Sequence, residues 1–356
     1  MRCIKHAARQ GSILFAIALA LTCCKSNVYD QERGAGEDNR VDRPLEYWRQ
    51  PEVYLDNQAD VLFRLIDETL QQNPATWQAP SAERRLALAS LDALLHDTRN
   101  DDSPALHHFI DTRVGRIVED LSRPVSRKGL RVYKIYNDGY IVRTRSLTVG
   151  FDLCGTRGPF KVLPDSLMHQ LVVACDVLFI SHRDPDHADR GVVAMAHETG
   201  IPVYGPADYD NGQIVPVRED FKAVQLGTRR GSVTVLPLPG HQDDLQNNIY
   251  VVSFPEGYVV AHAGDQYNEG DMAWLSCARE KMSRPLDILI VNGWAMRLKE
   301  TIEGFSPRLV ISGHENEMGH GIDHREAFWL SQYKFDEMSL PMPTIVLVWA
   351  ERFDFK

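Results

Sequence analysis

The sequence predicts a mixed α/β protein, a sheet or sandwich flanked by helices, with an N-terminal helical extension. Two observations carry that prediction. The apolar repeat changes from helical spacing to alternation near Leu130, and beyond it strands interleave with helices. Several of those strands also stop in one way, with an apolar run, a small residue and then His or Asp.

Residues 1–24 read as an export signal. Arg2, Lys5 and Arg9 precede an apolar run at residues 12–22, about eleven residues long where a spanning helix needs roughly 20. The run ends in "LTCC", which resembles a bacterial lipobox. That makes Cys24, or else Cys23, the expected lipid-bearing residue, and an ordinary cleaved signal or uncleaved anchor is the alternative. The expected location is the periplasm or outer membrane of a bacterium, with membrane contact through the anchor. Residues 25–43 are polar and charged, as a flexible tether would be.

Residues 44–128 form the helical extension. Val61, Leu62, Leu65, Ile66 and Leu70 recur at helical spacing. Ser81 and Glu83 signal the start of a second helix bearing Leu86, Leu88, Leu91, Leu94 and Leu95. Residues 106–121 give a third. His107 and His108 lie here, but neighbours on a helix point about 100° apart, which disfavours a shared metal. This unit could cover a site, build an oligomer contact or act as a spacer.

Residues 129–356 form the main domain. Val132, Lys134 and Tyr136 alternate up to an Asn137-Asp138-Gly139 turn, a hairpin signature. Strands are expected at residues 172–181, 201–205, 231–240, 248–254, 257–265, 286–293, 308–313 and 343–350, with a helix over 191–200 ending at Gly200. The formal charge of −10, with no basic patch beyond isolated arginine pairs, argues against a nucleic-acid partner. Beyond the leader only Cys154, Cys175 and Cys277 remain, which builds no disulfide framework or CxxC metal site. Cys175 is expected as a buried free thiol.

The strand ends collect the chemistry. They offer Asp152, the cluster His182, Asp184, Asp186 and His187 in "SHRDPDH", then His241, Asp265 and His314. Strand ends on one sheet edge converge, and imidazole and carboxylate are the donors that transition metals take. The "HRD" within the cluster also opens the catalytic loop of protein kinases, but no Gly-rich loop, strand lysine or DFG accompanies it.

The set resembles the metallo-β-lactamase superfamily over about residues 130–350. The HxHxDH motif is matched by residues 182–187, the strand-closing Asp by Asp152, and the later motifs by Gly240-His241, Gly264-Asp265 and Gly313-His314. The contexts "SGHENEMGH" and "DHAD" look closer to the ascorbate-phosphate lactonase and N-acyl-phosphatidylethanolamine phospholipase D branches than to true β-lactamases. The resemblance implies an αββα sandwich and two divalent ions, zinc first, with manganese or iron as alternatives. One ion would take His182, Asp184 and His241. The other would take Asp186, His187 and His314, with Asp265 bridging and Asp152 orienting a ligand. Asp186 would handle protons, and a metal-bound hydroxide would hydrolyse an ester, lactone or phosphodiester in a small-molecule or lipid-like substrate. His320 is a candidate substrate contact, whereas His324, His262 and His197 suit surface, packed and helix-end roles.

Asp184 departs from the family pattern, which usually has His there. A third carboxylate ligand removes one unit of positive charge and favours harder metals, and a shorter side chain demands that the loop move inward. Two ions are expected over one. The alternative function is a non-catalytic binding or scaffold lipoprotein that keeps the fold with an impaired metal site.

Overall fold

Serine caps start two of the helices. In the computed structural model, which describes residues 49–125, 129–157, 160–217 and 220–356, the chain opens with α1 (Pro51–Gln72), α2 (Ala82–Leu95) and α3 (Pro104–Ser122). The signal and its Cys24 or Cys23, like the tether, lie outside the described residues. Ser81 Oγ accepts Arg84 N at 3.1 Å, and Ser103 Oγ accepts Leu106 N at 3.1 Å just before Pro104. The buried faces differ from the expected ones. On α1 the inward stripe is Phe63, Ile66 and Leu70, while Leu62 and Leu65 are exposed. On α2, Leu88, Leu91 and Leu95 are buried and Leu86 is exposed. Runs of adjacent leucines exceed what one helical face can hold, so the surplus points outward.

Strands follow from Leu130. The first sheet contains β1 (Leu130–Tyr136), β2 (Gly139–Arg143), β3 (Thr148–Phe151), β6 (Val177–Phe179), β7 (Val203–Gly205), β8 (Gln213–Ile214) and β16 (Glu351–Phe355), in the order β16-β1-β2-β3-β6-β7-β8. Between β3 and β6 lie the short pair β4 (Thr156–Arg157) and β5 (Phe160–Lys161), then α4 (Asp165–Ala174). Helix α5 (Arg190–Glu198) joins β6 to β7. The second sheet holds β9 (Val224–Thr228), β10 (Gly231–Gln242), β11 (Leu245–Ser253), β12 (Val259–His262), β13 (Ile288–Asn292), β14 (Leu309–Gly313) and β15 (Thr344–Ile345), in reverse order from β15 to β9. Its pairing is antiparallel from β9 to β12 and parallel from β12 to β15. Helices α6 (Met272–Leu275), α7 (Leu298–Phe305) and α8 (Phe328–Met338) complete the chain.

Alternation places the core. Val132, Tyr140, Val142, Val149, Phe151, Val177 and Phe179 of one sheet meet Val235, Tyr250, Val252, Val260, Ile288, Ile290 and Ile311 of the other in one buried cluster. Residues 172–181, which read as one strand, are divided. Val172 belongs to the last turn of α4, Asp176 accepts Thr148 N (2.9 Å) and Arg230 Nε (2.7 Å), and the strand begins at Val177. Both halves are buried, so hydrophobicity alone gives no sign of the break. The expected strand at 343–350 shortens to Thr344–Ile345, and β16 beyond it pairs with β1.

From Leu62 to Lys356 the chain forms one compact unit. Arg84 of α2 donates to both oxygens of Glu351 (2.8 and 2.9 Å) and to Val346 O (2.7 Å). Arg113 of α3 pairs with Asp67 and donates to Trp349 O at 2.8 Å. Cys154 is buried with Sγ 3.9 Å from Pro185 O, and Cys175 is a buried free thiol that burial pushes far up.

Candidate metal centre

The site forms where β3, β6, β10, β12 and β14 run out. After β3, Asp152 takes a left-handed φ of +44°. Its Oδ1 accepts Ser181 N (2.7 Å), and its Oδ2 accepts both Ser181 Oγ (2.5 Å) and His187 Nδ1 (2.8 Å). Ser181 Oγ has one proton and gives it to Asp152, so it accepts from His182 Nδ1 at 2.9 Å. One carboxylate therefore sets both imidazoles, His187 directly and His182 through the serine, with the lone pair on Nε2.

Those two Nε2 atoms are buried without a hydrogen-bond partner. An orphaned buried nitrogen costs about 1–3 kcal/mol. Two of them, on rings 4.1 Å apart, fit a centre where cations take the lone pairs. Around them Asp186, His187, Asp265 and His314 each offer one ligand atom, all within 4.8 Å of one another. His187 Nε2 lies 3.2 Å from Asp186 Oδ2 and 3.2 Å from Asp265 Oδ2, close but out of line for hydrogen bonding. His314 Nε2 is 3.3 and 3.4 Å from the same two oxygens. Asp265 Oδ2 is also 3.8 Å from His182 Nε2, which has Asp184 Oδ2 at 3.6 Å on another side. Asp265 thus stands between two groups of donors.

The electrostatics agree. Burial pushes the carboxyls of Asp186 and Asp265 up, but His187 and His314 pull both well below the usual range. Burial pushes the two imidazoles down, and the carboxylates carry them well above their usual range. A divalent ion would take the place of those shared protons.

No protein-family model matches the chain, and no curated protein sequence does. Solved structures do. Igni18, a metallo hydrolase from Ignicoccus hospitalis, is 14% identical at a TM-score of 0.50, covering 64% of this chain and 99% of its own. A Veillonella parvula protein assigned as a metal-dependent hydrolase is 13% identical at 0.49, covering 63% of this chain and 99% of its own. A Thermotoga maritima protein assigned as a zinc-dependent hydrolase of the metallo-β-lactamase superfamily is 12% identical at 0.36, covering 61% of this chain and 97% of its own. The chain shares the fold of that Ignicoccus metallo hydrolase.

Within this fold the remaining site residues are less tightly gathered. His241, inside β10 rather than beyond it, donates Nδ1 to Asp271 (3.1 and 3.2 Å), which leaves Nε2 as the nitrogen available for a ligand. It is half-buried and stands outside the group of four. Asp184 is also part-exposed, and its main-chain oxygen accepts His187 N (3.0 Å) and Ala188 N (2.8 Å) to close the ligand loop. His320 Nε2 lies 2.8 Å from Glu317 Oε2, whose other neighbour is His314 Nε2 at 3.9 Å. His324 is exposed. His107 is part-exposed beside Asp102 at 2.7 Å.

Several supporting residues escaped the sequence reading. Ser181 looked like a small strand-end residue. Asn137 Nδ2 donates to Asp186 Oδ2 (3.3 Å), Gln242 Nε2 to Asp265 Oδ2 (3.3 Å), and Asn292 Nδ2 to Asp265 Oδ1 (3.3 Å). Asp138, read only as a turn residue, lies buried beneath the site with Asp152 and His262. Burial raises its carboxyl. His262 donates Nε2 to Asp138 O (3.0 Å) and accepts Gly264 N at Nδ1 (3.3 Å), so both its nitrogens are engaged. Gly313 leaves room for this layer, since a Cβ there would meet Asp138 Oδ1 at 1.9 Å.

Proposed function

We propose that the chain is an exported metal-dependent hydrolase of an ester, lactone or phosphodiester bond. The observation that carries the reading is the pair of buried, unpartnered Nε2 atoms on His182 and His187, locked in one tautomer by Asp152 and Ser181. Asp186, His187, Asp265 and His314 would hold one ion. His182 and Asp184 would hold a second, with His241 completing it and Asp265 shared. When bound, divalent ions there would polarise the substrate's carbonyl or phosphoryl oxygen and acidify a water.

The protein's own groups do the rest. Asp186, kept in place by Asn137, would steer the nucleophile or protonate the leaving group. Asp152 holds two ligand rings against rotation. His320, half-buried at the rim, is placed for substrate contact. Export and the lipid anchor rest on residues 1–24, and zinc is the first expectation for the metal.

Metal analysis of the purified chain tests this, alongside assays with an aryl ester, a lactone and an aryl phosphodiester. The expected outcome is near-stoichiometric metal, loss of it in His187→Ala, and turnover of at least one probe that a chelator abolishes. Trace metal unchanged by His187→Ala would reject the metal centre. Stoichiometric metal with three inert probes would favour a binding protein.

A further inference from the structure

The segment that follows β14 carries His314 and His320, and it is not regular structure. His314 (φ +64°), Asn316 (φ +56°) and Gly319 (φ +99°) all adopt left-handed conformations within six residues. Left-handed non-glycine residues persist where the surroundings impose them. Two of the attachments that hold this arm come from the N-terminal helices, outside the part of the chain that resembles the superfamily.

The first attachment is Asp92. It lies on the buried stripe of α2 between Leu88, Leu91 and Leu95, where a carboxylate is costly without partners. Its Oδ1 accepts Asn316 Nδ2 (2.7 Å) and Phe328 N (3.0 Å), and its Oδ2 accepts Trp329 N (2.8 Å). Helix α8 begins behind Ala327, which has no side chain able to cap it. Asp92 is that missing cap, supplied from another helix. The second attachment is Arg325, at the arm's far end. It donates to Leu95 O and to Asp101 Oδ1, both at 2.7 Å, while holding His320 O at 2.9 Å. Residues at both ends of the arm are thus gripped by one stretch, residues 92–101.

We infer that the N-terminal helical unit acts as a brace for the metal-binding arm, with Asp92 as a positioning residue that sets His314 through Asn316. This rests on the metal-centre reading above and extends it, because it gives residues outside the resemblance a role in ligand geometry.

Cobalt(II) titration of the full chain at pH 7.5 tests the brace, reading affinity and the visible d–d bands that report ligand geometry. Asp92→Asn keeps the volume but sets amide hydrogens against one or two of the three N–H donors. Asn316→Gly removes the arm's side of the link while suiting its left-handed φ. Each should weaken cobalt binding about two- to thirty-fold and shift the bands. Arg85→Ala, which removes the exposed α2–α8 pair with Asp336, should match the wild type in both. Wild-type affinity and bands in both Asp92→Asn and Asn316→Gly would overturn the brace. Equal losses in Arg85→Ala would also overturn it, assigning the effect to helix docking at large. Should Asp92→Asn not fold, Asn316→Gly decides alone. A wild type that takes up no cobalt would overturn the metal centre itself, and the brace with it.

Discussion

The ligand loop at residues 182–187 and the arm after His314 present similar donors but are held in opposite ways. The loop is wired locally. Asp152, Ser181 and the Asp184 main chain hold its rings within about one βα unit through bonds that join residues at most 35 apart, and Asn137 reaches Asp186 across 49. The arm is wired at long range. Glu315 pairs with Lys134 across 181 residues, and Asn316 with Asp92 across 224. A local network can be orienting as soon as its own strands pair, whereas the arm's geometry waits on the helices and both sheets.

Breaking the arm's wiring should cost most. Lys134 and Glu315 are fully buried, and Lys134 also faces the rings of Tyr140 and Phe328. Lys134→Met leaves a buried carboxylate without its cation, and should destabilise the protein by about 3–5 kcal/mol in urea unfolding. Adding Glu315→Gln should recover much of that loss. A single variant as stable as the wild type would show the pair to be dispensable.

The next effect sharpens the contrast through pH. Burial lifts the Asp92 carboxyl from 3.8 to about 6, although Trp329 N, Asn316 and Phe328 N each favour the anion. Because the folded value lies above the unfolded one, Asp92 contributes stability that is fully present below about pH 4. That contribution is lost as pH rises through about 6, and by linkage it amounts to roughly 3 kcal/mol. The stability of the wild type minus that of Asp92→Asn should fall across this window and level off above it. His96, whose ring contacts Asp92 O and Arg325 O, is the neighbouring charged group that favours the Asp92 anion. A flat difference from pH 4 to 7 would count against the lifted carboxyl.

The local wiring gives the smallest expected effect. Asp152→Asn keeps the left-handed backbone, which Asn tolerates, but weakens the bonds to His187 and Ser181. Metal affinity should drop about 10- to 100-fold with global stability little changed, as read by isothermal titration and urea melts. Unchanged affinity would mean that the ligand rings need no such support.

What the sequence discloses follows the same division. The switch to alternation at Leu130 and the repeated strand endings expose the two sheets and place Asp152, His182, Asp186, His187, Asp265 and His314 at their ends. Those signals lie within a few residues of each ligand. Nothing near Lys134 or Asp92 marks a buried partner, since those partners arrive some two hundred residues later. The α4–β6 break at Cys175-Asp176 is hidden for another reason. Both flanks are buried, so the apolar run continues across a change of secondary structure.

The two short edge strands near residue 350 have a consequence for how the chain matures. β15 adds the last strand to one sheet and β16 pairs with β1 in the other, and Glu351 receives Arg84. During vectorial synthesis neither sheet reaches its full width, and Arg84 lacks its carboxylate partner, until residues 344–355 emerge. A polypeptide of this design completes both of its sheets only with its last strands.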